Sequence, residues 1–394
     1  MGWKDWVYGD LVSAADFQSL VQDQTVQRYA DSAARTSALG SAVAEGMVSY
    51  LDDTNAVEVY NGSSWGSLGG SGATNIVLNS SFDIWQRGTS GTASGTSAGS
   101  GYNADRWFNY YAGAMTVSRQ ATGDTTNLPN IQYAARIQRN SGQTSATSIY
   151  HAQDIETINS VPFAGKTVAF SFYARKGANY SGASSNLTYV VQSGTGTDQH
   201  ILGGYTGSAS IVSGSATLTT TWQRFTATGT VASTATQIGI YFTYDGVGTA
   251  GAADYFEVTG VQLEVGSSAT AFKRNAPSIQ GELAACQRYY YRQNPTGSIN
   301  YRAMGMGVNS TSARIFAQLP VTMRVLPTSV EFSNLALSDT ATSQAVTAIS
   351  INAVSSPGVA VLDCSAASGL TQYRPYFLFD NSSFSAYLGF NAEL

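Results

Sequence analysis

Apolar and polar residues alternate with a period of two through most of this chain. Ile131, Tyr133, Ala135 and Ile137 alternate with Gln132, Ala134, Arg136 and Gln138. Val168, Phe170, Phe172 and Ala174 form a second such series, and Ile238, Ile240, Phe242 and Tyr244 a third. Each predicts a strand with one buried face. Residues 218–231, holding Trp222 and Phe225, read as a further strand. Turns rich in Gly, Ser and Asn separate these runs and helical periodicity is nearly absent, which predicts a two-sheet sandwich. Tyr255–Val265 is a strand with a fault. Phe256 and Val258 share one parity, whereas Val261, Leu263 and Val265 share the other, so a bulge is expected at Thr259-Gly260.

The flanks have different patterns. Ser13-Ala14-Ala15-Asp16 reads as a helix N-cap followed by Phe17, Leu20 and Val21, and that signal fades after Gln22. A hairpin follows, with Met47, Val48, Tyr50 and Leu51 before a turn at residues 52–55 and Val57, Val59 and Tyr60 after it. Residues 66–74 read as a Gly/Ser linker, and residues 88–101 as a glycine-rich loop. Beyond the faulted strand, Pro277 sets the first turn of a short helix over residues 278–289, with Ile279, Leu283, Cys286 and Tyr290 on one face. Strands are then expected at 301–308, 312–319, 328–332 and 377–379. Phe384, Ala386, Leu388 and Phe390 share a face in a last strand. The division is therefore 1–70, 75–275, a helical connector at 276–292, and a β-sandwich tip at 293–394.

Several of these stretches resemble tail-fibre and receptor-binding proteins of tailed bacteriophages. They are Val261-Gln262-Leu263-Glu264-Val265-Gly266 with Ala271-Phe272, the run from Glu282 through Gln287-Arg288-Tyr289-Tyr290, and Leu319-Pro320-Val321-Thr322. Glu45-Gly46-Met47 and Val59-Tyr60-Asn61-Gly62 add to the likeness. The opening Asn75-Ile76-Val77 through Phe82 and Trp85, followed by Asp105-Arg106-Trp107, resembles jelly-roll carbohydrate-binding modules, whose opening strand pairs with a late strand like Tyr255–Val265. The resemblance implies a homotrimeric virion protein made in the host cytoplasm. It would attach to a phage tail or baseplate protein through residues 1–70 and bind a host surface glycan. Its alternatives are a tailspike-like glycan hydrolase and a capsid decoration or fibre protein.

Composition narrows the chemistry. Charged residues are only 11% of the 394 and the net charge is −5, so no basic footprint for nucleic acid exists. No apolar run reaches the roughly 18 residues a membrane span needs, and the first residues lack the apolar core of a signal peptide. Cys286 and Cys364 read as two buried, reduced thiols, and His151 and His200 have no metal-ligand spacing. A hydrolase would need paired carboxylates or an activated nucleophile. Asp154 and Glu156 share strand parity but read as a solvated strand edge, and no nucleophile elbow or zinc motif occurs. The chain is therefore expected to be no enzyme.

A sugar binder needs aromatic rings beside amides and hydroxyls, because rings cover the apolar faces of sugars while polar side chains bond their hydroxyls. Trp107, Asn109, Tyr110 and Tyr111 form the candidate cluster in the middle, and Tyr373, Arg374 and Tyr376 the one in the tip. Trp85, Trp107 and Trp222 read rather as core packing, whereas Tyr110, Tyr111, Tyr373 and Tyr376 suit core and site about equally. The jelly-roll resemblance also implies a structural Ca²⁺, for which Asp83 and Glu264 are the conceivable ligands.

Overall fold

The computed structural model describes residues 13, 26–53, 56–67, 75–95 and 101–394. The helix expected from Ser13, most of the 66–74 linker, residues 54–55 of the hairpin turn and the 96–100 part of the glycine-rich loop lie outside the described residues. Contact density divides the chain into two compact units, Met1–Ala73 and Thr74–Leu394.

The first unit holds β1 (Gln27–Tyr29), α1 (Ser32–Leu39), β2 (Val48–Leu51), β3 (Ala56–Tyr60) and β4 (Trp65–Ser67). The predicted hairpin is β2 with β3, and β1 adds to β2 in parallel. Asp31 caps α1 by accepting the Ala34 N–H at 2.7 Å, the reason the helix starts where it does. Arg35, buried on α1, pairs with Glu58, donates to Ser49 at 2.8 Å and lies 4.0 Å from the centre of the Trp65 ring.

The second unit opens with a sandwich of β5 (Ser90–Gly95), β6 (Phe108–Ala121), β7 (Tyr133–Arg139), β8 (Ser148–Ile155), a one-turn α2 (Thr157–Ser160), β9 (Thr167–Lys176), β10 (Asn186–Gly194), β11 (Ala209–Thr217), β12 (Gln223–Thr230), β13 (Gln237–Asp245) and β14 (Tyr255–Val265). One layer runs β11-β10-β13-β8-β6 and the other β6-β7-β14-β9-β12. The long β6 serves both, pairing with β8 at its start and with β7 at its end. The inner faces predicted from alternation meet in one core that includes Ile137, Phe170, Phe172, Ile240, Phe242 and Leu263. The bulge in β14 is present. Its register against β9 shifts between Thr259 and Gln262, and Gly260 takes φ +57°. A Cβ at Gly260 would stand 2.7 Å from Ile131 Cδ1, so glycine is required there sterically as well as conformationally.

Three sequence readings need correction. The strand expected over residues 218–231 is present but starts later: β12 runs Gln223–Thr230 and holds Phe225, while residues 218–222, including Trp222, form the turn that follows β11. The segment after Asn75 pairs with the late strand, but through turns. Ile76 N–H donates to Leu263 O, Val261 N–H to Ser80 O, and the Asn75 amide bridges Val261 O and Leu263 N–H. Third, the connecting helix α3 (Ile279–Gln287) starts from Ser278 as its cap and buries Glu282 and Cys286, while Ile279 is exposed. Glu282 accepts the N–H groups of Asn79 and Ala276, and this polar anchoring overrides the apolar spacing.

The C-terminal body contains β15 (Tyr290–Gln293), β16 (Tyr301–Gly307), β17 (Ser312–Gln318), β18 (Ser329–Ser333), β19 (Leu335–Ser338), β20 (Ser343–Ile351), β21 (Val359–Ala366), β22 (Pro375–Asp380) and β23 (Tyr387–Asn391). Six of them close a barrel in the order β16-β17-β21-β20-β19-β22, and β15-β23-β18 form a small sheet beside it. One core joins the two. Ala386, Leu388 and Phe390 face inward as predicted, but Phe384 precedes β23 and is 76% exposed. Both cysteines are free and buried.

Buried charges bind this body to the sandwich. Glu393 pairs with Arg106, which is 1% exposed, and with Arg87 at 3.4 Å. Arg106 also donates to Asp154 O and packs 3.7 Å from the Tyr289 ring centre. Glu156 receives Arg288 and the Tyr289 hydroxyl, each at 2.8 Å, and Arg324 reaches Asp198 at 2.8 Å.

Candidate functional site

Residues directly opposite each other in antiparallel strands project from the same face. Tyr110 on β6 opposes Tyr150 on β8, Tyr150 opposes Thr243 on β13, Thr243 opposes Thr188 on β10, and Thr188 opposes Ser215 on β11. The neighbouring row is Phe108, Ala152, Tyr241, Val190 and Ser213. Residues of the other parity, such as Ile149, Phe242 and Val191, lie in the core. These two rows therefore face away from it. Tyr110 and Tyr150 have ring centres 6.1 Å apart, and Tyr150 and Tyr241 meet edge to face at 5.7 Å. All three rings are half-buried.

One end of the face is closed. Ile201 and Tyr205 pack on Phe108 and Ala152, and they approach because residue 239 is glycine. A Cβ there would lie 2.4 Å from the Tyr205 hydroxyl. Asp154 holds this closing segment by accepting the Ile201 N–H at 2.9 Å and the Tyr205 hydroxyl at 2.7 Å. Burial raises the Asp154 pKa to about 6.

The open part of the face is rich in unused hydrogen-bonding groups. Among the described residues, the hydroxyls of Tyr110, Tyr150 and Tyr241 bond to no protein group, and Thr243 Oγ1 is buried without a partner. Buried polar groups normally find partners. A face with apolar ring surfaces, free hydroxyls and no charged side chain in either row can hold a neutral polyhydroxylated ligand.

Of the residues singled out from sequence, only Tyr110 belongs to this face. Trp107 is fully buried, stacked on His151 at 4.7 Å, and its Nε1 reaches Asn79 O at 3.3 Å. Tyr111 is also buried and donates to Ser145 O. Neither ring has a free face for a sugar. Asn109 is spent internally, its Nδ2 on Gly101 O and its Oδ1 against His151 Nδ1. In the barrel, Tyr376 is buried and its hydroxyl accepts the Thr371 N–H. Arg374 pairs with Asp339 at 2.8 Å. Tyr373 is 75% exposed, at a turn with φ +64°, and stands apart from the other rings. The tip cluster thus breaks up into one core ring, one ion pair and one lone ring. Tyr150 and Tyr241 were missed, although parity against Ile149 and Ile240 marks them as outward.

The carboxylates differ from their sequence reading too. Asp154 and Glu156 are buried, not solvated, because α2, the closing segment and the C-terminal body cover them. Asp83 faces Arg274 at 2.8 Å, and Glu264 receives Thr270 and Gln262. Protein donors occupy Asp83 Oδ2 and both carboxylate oxygens of Glu264, and the described residues contain no group of three or more His, Cys, Asp or Glu that could hold a metal. None of their helices is long and apolar enough to cross a membrane.

No protein-family model and no curated protein matches the chain. Solved structures with likeness to it include the enzymatically active domain of bacteriophage CBA120 tailspike protein 4, at 13% identity and TM-score 0.31, covering 49% of this chain and 21% of that one. Another is the C-terminal family 22 carbohydrate binding module of Clostridium thermocellum Xyn10B, at 15% identity and TM-score 0.29, covering 50% and 99%. A third is TmCBM61 in complex with beta-1,4-galactotriose, at 14% identity and TM-score 0.28, covering 49% and 99%. The match thus spans about a fifth of the tailspike chain. Nothing about this chain's ligands follows from likenesses of this strength.

Proposed function

We propose that this chain is a non-enzymatic glycan-binding protein of a tailed-phage virion, a tail fibre or receptor-binding protein. Its glycan site is the outward face that carries Tyr110, Tyr150 and Tyr241. The observation that supports this most is the row of half-buried tyrosines whose hydroxyls lack protein partners. Rings so placed cover the apolar faces of successive sugars, and their hydroxyls, with that of Thr188, bond the sugar hydroxyls. In this reading residues 1–70 attach to a tail or baseplate protein, the assembly is a homotrimer, and the site is carried by the sandwich and not by the tip.

Electrophoresis through gels containing neutral host polysaccharides tests the binding. The wild type is expected to be retarded, and unretarded migration in every host polysaccharide would refute the reading. Incubating the same polysaccharides with the protein should release no fragments. Their appearance would favour a tailspike-like hydrolase. Antibody labelling of intact virions should decorate tails, and capsid labelling would instead make this a decoration protein.

A further inference from the structure

The outer wall of a closed barrel in water is ordinarily polar, because only its inward parity is buried. Here it is not. Tyr301, Met304 and Met306 on β16 and Phe316 on β17 are each about half exposed. Met304 opposes both Phe316 and Phe377, so one row crosses β17, β16 and β22 on the outside. Tyr301 extends it, in edge contact with Phe377 at 5.2 Å. The four exposed side chains present roughly 400 Å² of apolar surface, taking about 150–250 Å² for a whole large side chain. A single patch of about 300–600 Å² is the largest on an ordinary monomer and is often functional.

We infer that this wall is a contact surface between copies of the chain. Three features favour a second copy as its occupant. The barrel is closed, so it has no free strand edge for an extended peptide to join. What remains is a sheet face, which packs best against another sheet face, and rotation about a two- or three-fold axis brings the same wall of each copy together. At the rim, Arg314 and Asp363 pair at 2.9 Å while both remain partly exposed, a plus and a minus side by side that a symmetry mate can match. With such a rim the wall offers roughly 500 Å², below the roughly 800 Å² per partner of a standard interface and of the size of a weaker, concentration-dependent contact. The inference holds whether or not the tyrosine face binds glycan.

Light scattering on the full chain across a micromolar concentration series tests it. The wild type is expected at two or three times the chain mass, and Met304→Lys with Phe316→Glu is expected to return it to the monomer with an unchanged melting temperature. If that variant misfolds, Met306→Cys under mild oxidation supplies a second reading, a disulfide-linked pair of chains. A wild type that stays monomeric, an oligomer unmoved by a folded double variant, or a Met306→Cys protein that never cross-links would each overturn the assignment. Loss of glycan retardation in the double variant with no change of mass would likewise overturn it, by making the wall a ligand site.

Discussion

Two polar regions of the second unit are built on opposite terms. Arg139 lies on the inner side of β7 and is fully buried with Asp254. Its guanidinium donates to Tyr111 Oη, Ser181 Oγ, Asp254 Oδ2 and the carbonyls of Gln143, Ser145 and Gly248. Every nitrogen is used, and three loops are fixed by one side chain. The tyrosine face has groups of similar polarity and uses none of its ring hydroxyls internally. Desolvating a polar group without a partner is costly, so the first arrangement is explained by folding alone. In the second the ring hydroxyls stay open to solvent, so water is their partner until a ligand hydroxyl takes its place.

The largest effects are expected where charges are fully paired. Asp254→Ala leaves Arg139 buried without its counter-charge and should cost about 3–5 kcal/mol, read as a fall in the urea midpoint. Glu393→Ala strands Arg106 in the same way and should cost a similar amount. It also cuts the ionic joint between sandwich and barrel, so calorimetry should split the transition of the second unit, expected to be single in the wild type, into two. A single transition in the variant would mean that the apolar contacts alone couple the two bodies.

A smaller effect concerns pH. Burial raises Asp154 and Asp105 to about 6 and lowers His151 to about 3 and His200 to about 4. The raised carboxyls hold protons in the folded state that the unfolded state releases, so their contribution is full below about pH 4 and lost as pH rises to about 6. The depressed histidines act in reverse: the unfolded state binds protons below about pH 6.5, so their contribution is lost as pH falls. The two pairs oppose each other between pH 4 and 6 and flatten the wild-type profile. Asp154→Asn removes one falling component, so the variant's stability should rise relative to wild type by about 2 kcal/mol across that window. Parallel profiles for the two proteins would contradict the burial argument.

Much of the fold was legible because strand parity is a strict signal. The inner faces of β9 and β13, the hairpin of β2 with β3 and the bulge at Gly260 all follow from it. The candidate site was less legible, and the reason is physical. Aromatic clusters in sequence do not cluster in space when the chain alternates: Tyr110 faces out while Tyr111 faces in, and Tyr373 faces solvent while Tyr376 lies in the core. The proposed site gathers single tyrosines from three strands whose pairing, β6 to β8 to β13, is non-sequential. Nothing local encodes that order. The joint through Glu393 was hidden for the same reason, since its partners Arg87 and Arg106 lie some three hundred positions earlier.

The smallest effect on stability should come from the face itself, and it carries the central claim. Tyr150→Ala removes a half-buried ring that touches Tyr110 and Tyr241 but has no hydroxyl partner, so stability should fall by only about 1 kcal/mol, while each lost stacking contact should weaken glycan binding by about 1 kcal/mol, several-fold in affinity. Calorimetric titration of wild type, Tyr150→Ala, Tyr241→Ala and Tyr373→Ala with the glycan that retards the protein is the direct measurement. The account predicts weakened binding for the first two variants and wild-type binding for Tyr373→Ala, all three folded. Unchanged affinity in the folded Tyr150→Ala and Tyr241→Ala proteins, with loss in Tyr373→Ala, would contradict it and move recognition to the barrel.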